Sequence, residues 1–488
     1  MSPIRSTEPA AIPSTPVAVA APRRRGLWPL VVIASAHLMA ILDTTVMFVA
    51  LPSIQHGLRM SVTGRQWVVT AYTLALAGLL LPGGRLADRF GATRTLLVGV
   101  IGFASASAIA GAAIDGGMLI AARTVQGAFG AVLISSTKSL LISVYTDEDE
   151  RARVMGIFTA TLTAGAAVGL ILGGVLTSGL GWRWCMYANV ALSMVAMTAG
   201  PRVLPNLPGR KQVRIDILSV ALCSIGMAAL VYGLGEAASL GWRDGRIIGA
   251  LAAAAVLLAG FVIRQTGKPS PLLPLRVVWD RNRGWGMVAL IVNALSTFGM
   301  MLILTYQLQS VMHYSALRTG LALIPFALAA AIGSALLAPR LMLRVAPRWL
   351  LSAGIAVEGA ALVPLIWLTP HSGYVPLIFL STMLEGLSTG LAAPVALSTA
   401  VRDTLPSDTG AAGAGTSAAS QLGSSIGAAL LNTVAASAAA GYFAAHATAG
   451  IAAATVHGFT TAMIWGAAIL IASAIPIAAF VNAEAPHR

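Results

Sequence analysis

Fourteen apolar stretches, each close to the roughly 20 residues that an α-helix needs to cross a bilayer, follow one another along the chain with short polar gaps between them. Inside hydrocarbon every backbone N–H and C=O must be satisfied within the chain, so stretches of this kind fold as helices. They occupy about 280 of the 488 residues at that length, and no gap is long enough for a separate catalytic domain. Charged residues make up 10%, against about 25% in soluble domains, and the mean hydropathy is +0.82. The expected class is an all-α polytopic membrane protein. Cys185 and Cys223 both lie inside apolar stretches, which argues against a disulfide framework or a cysteine metal site.

The net charge of +14 would suggest nucleic acid in a polar protein, but here it reads as membrane orientation. With the N-terminus inside, 23 of the 31 Lys and Arg fall on the cytoplasmic side and six outside, while Arg123 and Lys138 lie within spans. That asymmetry is a strong positive-inside signal, and returning the C-terminus to the cytoplasm needs an even number of spans. Nucleic acid is therefore not an expected partner. Residues 1–26 are rich in Pro, Ala and Ser and end in Arg23, Arg24 and Arg25. They read as a disordered cytoplasmic tail and not as a cleaved signal; residues 484–488 read as a second cytoplasmic tail.

A weak internal repeat aligns Arg85, Leu86, Arg89 and Leu96 with Arg340, Leu341, Arg344 and Leu351 at a constant offset, and Asp149 with Asp408 at a similar one. Parallel repeats mark transporters built from two related bundles with the substrate path between them. The expected organisation is a six-helix bundle over 27–205, a two-helix insert over 206–268 and a second six-helix bundle over 269–483.

Asp43 sits in a long apolar stretch, where an ionised carboxylate costs several kcal/mol unless it is paired or protonated. It lies eight residues, about 12 Å, from the outer end of its stretch, and Arg123 lies about 9 Å from the outer end of the fourth. The two should meet, and withdrawing Arg123 would exchange a proton-free for a proton-bound carboxylate. A permanent structural ion pair is the alternative. Glu358 and Glu385 fall near the middle of their stretches, as either proton or cation contacts or structural hydrogen-bonding groups. With Gln126, Asn189 and Gln307 they are the candidate cavity residues. Lys138 is expected to snorkel to the interface. Gly386-Leu387-Ser388-Thr389-Gly390 matches a hydrolase nucleophile elbow, but that motif needs a strand, a turn and a His partner. It lies here in a membrane helix. No phosphate-binding loop or metal-type His spacing occurs, so no ATP, metal or other cofactor is expected.

Four stretches carry a family resemblance. Leu42-Asp43-Thr44-Thr45-Val46 runs on to Ala50-Leu51-Pro52; Gly84-Arg85-Leu86-Ala87-Asp88-Arg89-Phe90-Gly91 is followed by Arg94; Arg123-Thr124-Val125-Gln126-Gly127 is followed by Gly130; and Gly165, Gly169, Gly173 and Gly174 share one segment, with Leu170 where a Pro is usual. Together they resemble the major facilitator superfamily, and within it the fourteen-span drug/proton antiporters of the EmrB/QacA type. The resemblance implies a major facilitator fold with both termini cytoplasmic, proton coupling at Asp43 and Arg123, a conformational loop latch at Gly84, Asp88, Arg89, Gly91 and Arg94, and an antiporter-like helix at the four glycines. It implies a secondary transporter in a bacterial cytoplasmic membrane, not an enzyme, exporting small amphipathic drugs or antibiotics against protons. A monomer embedded in the lipid bilayer is expected. The rival readings are a proton-coupled nutrient symporter, an intramembrane enzyme and a non-transporting scaffold.

Overall fold

All fourteen apolar stretches are helical in the computed structural model, which describes residues 27–482 except 146–147, 207, 210–215, 267, 269–270, 273–274, 403, 405–408, 447 and 449. Both expected tails and Asp408 of the repeat therefore lie outside the described residues. The helices are α1 (Trp28–Gly57), α2 (Val62–Phe90), α3 (Ala92–Gly111), α4 (Gly116–Val144), α5 (Glu148–Gly179), α6 (Arg183–Val203), α7 (Ile217–Leu240) and α8 (Gly245–Gln265). They continue as α9 (Arg281–Val311), α10 (Ala316–Met342), α11 (Pro347–Trp367), α12 (Leu377–Val401), α13 (Thr409–Ala445) and α14 (Ile451–Phe480). Among the described residues, 12 of these helices are long and apolar enough to cross a membrane. The other two, α5 and α6, are 32 and 21 residues long.

Regularity breaks where the sequence demands it. Proline stands inside α1, α2, α6, α12 and α14, tolerable where neighbouring helices satisfy the freed carbonyls. α9 ends in a π turn, Gln307–Val311, and α10 contains another at Gly333–Leu337. The tight corner between α2 and α3 turns on Gly91, whose φ of +93° suits a residue without a Cβ.

The pairing of helices repeats. In the first half α1 packs on α5 and α6, α2 on α4, and α3 on α4 and α6; in the second α9 packs on α13 and α14, α10 on α12, and α11 on α12 and α14. The halves meet through α2 against α13 and α5 against α10. α7 and α8 pair with each other, and α7 rests on both α2 and α13, beside the junction. Side chains such as Val256 and Ile263 on α8, 71% and 68% exposed, face outward, as they do where lipid is the neighbour.

Close contacts seal the junction at the end carrying the α1–α2 and α5–α6 loops. A Cβ on Gly174 would meet Leu317 Cα at 2.7 Å, and one on Gly320 would meet the Leu170 carbonyl oxygen at 2.3 Å. At the same end Asn432 donates to Gln66 Oε1 at 2.7 Å, Gln309 donates to the Val49 carbonyl at 2.8 Å, and the Arg65 guanidinium lies 3.5 Å over the Tyr306 ring.

Candidate functional site

Five helices converge on one buried carboxylate. Asp43 on α1 is 1% exposed, as is Arg123 on α4, and Arg123 Nη1 meets Asp43 Oδ2 at 2.5 Å. The same Nη1 donates to Gln126 Oε1 at 2.7 Å, and Nε donates to the Val68 carbonyl of α2 at 3.1 Å. Asp43 Oδ1 accepts from Gln126 Nε2 at 2.9 Å and from Asn189 Nδ2 of α6 at 2.8 Å. Gln126 also donates to Ser107 Oγ of α3 at 2.7 Å. The Tyr72 ring lies 4.2 Å beneath the guanidinium. Both carboxylate oxygens of Asp43 and the Nε and Nη1 of Arg123 are thus engaged, which helps a buried ion pair to offset its desolvation. The expected meeting of Asp43 and Arg123 is present, and Gln126 and Asn189, anticipated as cavity contacts, both donate to the carboxylate.

The glycines of α5 shape this environment. A Cβ at Gly165 would fall 1.9 Å from Leu38 Cδ1, at Gly169 1.9 Å from Thr45 Oγ1, and at Gly173 2.9 Å from Val46 Cα. Small residues spaced by four let two membrane helices approach closely, and here they press α5 onto α1 on both sides of Asp43. The neighbouring Gly174 faces α10 instead, so adjacent glycines serve contacts within and between the halves.

The second half carries acids without a base. Glu358 on α11 and Glu385 on α12 are both 0% exposed. Glu358 Oε1 accepts from Asn293 Nδ2 of α9, and from Thr389 Oγ1 at 3.5 Å; Glu385 Oε1 accepts from Ser296 Oγ of α9 at 2.7 Å. Among the described residues neither glutamate forms a salt bridge, and neither Oε2 has a hydrogen-bond partner. Gln307, at the start of the π turn, is buried with both amide atoms unpartnered.

Of the loop residues, Gly91 makes the corner, Gly84 stands in open space, and Arg85 donates to the Pro271 carbonyl. Asp88, Arg89 and Arg94 are exposed. Asp88 makes no salt bridge among the described residues, so the anticipated latch through it is not engaged in this conformation. Lys138 does not snorkel: its Nζ donates to Ser417 of α13, in the other half. Sequence reasoning missed Ser107, Asn293 and Ser296. Nothing in a serine or asparagine inside an apolar stretch says which neighbour it faces. The spacing of Arg123 and Gln126, i and i+3 on one helix face, was the available signal for their partnership.

The sequence profile described as Major Facilitator Superfamily matches residues 33–430. The puromycin resistance protein of Streptomyces alboniger is 40% identical over 477 residues, 96% of this chain and 94% of that protein. The cephamycin export protein of Amycolatopsis lactamdurans is 35% identical over 78% of this chain and 79% of its own. A crystal structure of an auto-inhibited POT family peptide transporter superposes with a TM-score of 0.65 at 14% identity, covering 94% of this chain and 97% of that one; at that identity the likeness is one of fold.

Proposed function

The chain belongs to the Major Facilitator Superfamily, and we propose that it exports amphipathic drugs or antibiotics in exchange for protons by alternating access. The observation that carries the reading is the closed Asp43–Arg123 pair, with Gln126 and Asn189 completing the coordination of the carboxylate. A group held this way has two stable states. Paired, it is ionised; with Arg123 withdrawn by helix movement, it must take a proton, because an isolated carboxylate in that interior is too costly. Movement of the halves and movement of a proton are thereby the same event. The resistance and export proteins among the relatives support the choice of substrate class.

In this reading all fourteen helices span a bacterial cytoplasmic membrane, both termini are cytoplasmic, and the bundles at 27–205 and 269–483 flank the insert at 206–268. The sealed end then faces out, and the conformation is inward-facing, in keeping with the exposed Asp88. The protein works as a monomer and uses no cofactor beyond the proton. Membrane potential contributes about 2.3 kcal/mol per elementary charge per 100 mV, so one or two protons drive a substantial gradient.

Purified protein in liposomes, with puromycin as probe, tests this. An imposed proton gradient should drive puromycin opposite to the protons. Movement in the same direction would mark a symporter, and no gradient-dependent movement would remove the reading.

A further inference from the structure

The second half holds a charge problem that the Asp43 network does not use. Glu358 and Glu385 sit fully buried, and each presents one carboxyl oxygen to a neutral donor of α9, Asn293 for the first and Ser296 for the second, and leaves the other without a partner; Thr389, one turn after Glu385, donates to Glu358. Ser381, one turn before Glu385 on the same face of α12, is likewise buried with its hydroxyl unpartnered. The charged and titratable side chains on the surrounding helices lie toward helix ends: Arg281, Arg283 and Tyr306 on α9, Arg318 and Arg340 on α10, Arg348 on α11, Tyr442 and His446 on α13, His457 on α14. Among the described residues none of them pairs with either glutamate.

Two carboxylates buried in one low-dielectric interior cannot both stay ionised without a positive charge. The space around them is closed to solvent, so an organic cation does not fit beside them here. A metal ion such as sodium would need several converging oxygens at bonding distance. A proton needs only the orphaned oxygens.

We infer that Glu358 and Glu385 form a second proton site, in the second bundle, which holds at least one proton in this conformation and releases it when the bundles move. The step is an O–H bond breaking at a glutamate oxygen, with the proton passing to water that enters the junction. A route is present. Thr389 Oγ1 donates to Glu358 and stands 3.1 Å from Thr297 Oγ1; both threonines are half-buried. The residue after Thr297, Phe298, meets Phe48 of α1 with ring centroids 5.2 Å apart, so the hydroxyl pair leads toward the junction of the two bundles. The presence of the proton rests on the site alone. Its role in coupling rests on the proton-driven reading above.

Infrared spectroscopy on the full-length protein tests the site without transport. The wild type at neutral pH should show the carbonyl band of a buried protonated carboxylic acid, weakened in Glu358→Gln or Glu385→Gln, lost in the double variant, and retained in Asp43→Asn. The band should not change on adding sodium. A band that survives the double substitution, or that sodium abolishes, overturns the proposal. If the double variant does not fold, the single Glu385→Gln, whose amide oxygen still accepts from Ser296, decides by the same band. In liposomes the double variant should carry one proton fewer per substrate than the wild type; an unchanged count overturns the coupling role. Uphill export by Asp43→Asn would refute the Asp43 reading, and the carboxylic band would be judged independently of it.

Discussion

Gln126 and Glu385 occupy matching places in the two bundles. Each precedes a glycine on the fourth helix of its bundle, and a Cβ on Gly127 or Gly386 would lie 2.2 Å from a carbonyl oxygen of the second helix, Tyr72 or Phe326. Each also bonds to the first helix of its bundle, Gln126 to Asp43 and Glu385 to Ser296. The acid is on the first helix with an amide opposite in one bundle, and on the fourth helix with a hydroxyl opposite in the other. Arginine accompanies only the first. The repeat therefore preserved the backbone approach, which packing requires, and exchanged the chemistry that hangs from it.

The largest effect should come from stranding the paired acid. Arg123→Ala leaves Asp43 buried without its counter-charge and should cost about 3–5 kcal/mol, seen as a lowered unfolding temperature in detergent. Glu358→Gln strands nothing and should leave that temperature unchanged or raised. Comparable losses in both would break the contrast between a paired and an unpaired acid.

Next come the glycines that the bundles share. Gly127→Ala and Gly386→Ala each drive a methyl into backbone and should each cost about 1–3 kcal/mol, with similar losses by thermal unfolding. A loss at only one would mean that the close approach is not a common structural element.

Arg123→Lys keeps the charge but loses the planar fork that reaches Asp43, Gln126 and Val68 together. One charge-assisted hydrogen bond or more disappears, so about 1.5–3 kcal/mol is expected at most, below the alanine variant in the same assay. Asp88→Asn should have the smallest effect on stability, within about 0.5 kcal/mol, since the residue is exposed. Its expected consequence is kinetic: slower turnover with unchanged substrate affinity in liposomes. Arg89→Ala should slow turnover more than Arg344→Ala, because the acidic position of the loop is Leu343 in the second repeat, and equal losses would contradict a one-sided latch.

The helices were legible because a membrane-spanning stretch must satisfy its own backbone, so apolar length alone reports them. Asp43 and Arg123 were legible for a related reason: depth along a helix follows from residue count at 1.5 Å per residue, and two opposite charges at one depth have little choice of partner. Which face a polar residue presents, and to whom, depends on helix order in the plane of the bundle. That order is set by close contacts such as Gly169 on Thr45 and Gly320 on Leu170, which sequence distance does not encode. Hence Asn189 read as a cavity residue and proved a ligand of Asp43, and Lys138 read as snorkelling and proved bonded across the junction to Ser417. The acids Glu358 and Glu385 stood out as costly, but that both would bond to α9, at Asn293 and Ser296, had no signature in the chain.

Whether Asp43 joins proton movement to substrate movement is decided by Asp43→Asn in liposomes. Asparagine is nearly isosteric and mimics the protonated acid, but it has no proton to release. Accumulation of puromycin against its gradient, driven by an imposed proton gradient, should vanish while downhill exchange survives. Continued uphill accumulation by Asp43→Asn would contradict a coupling role for Asp43.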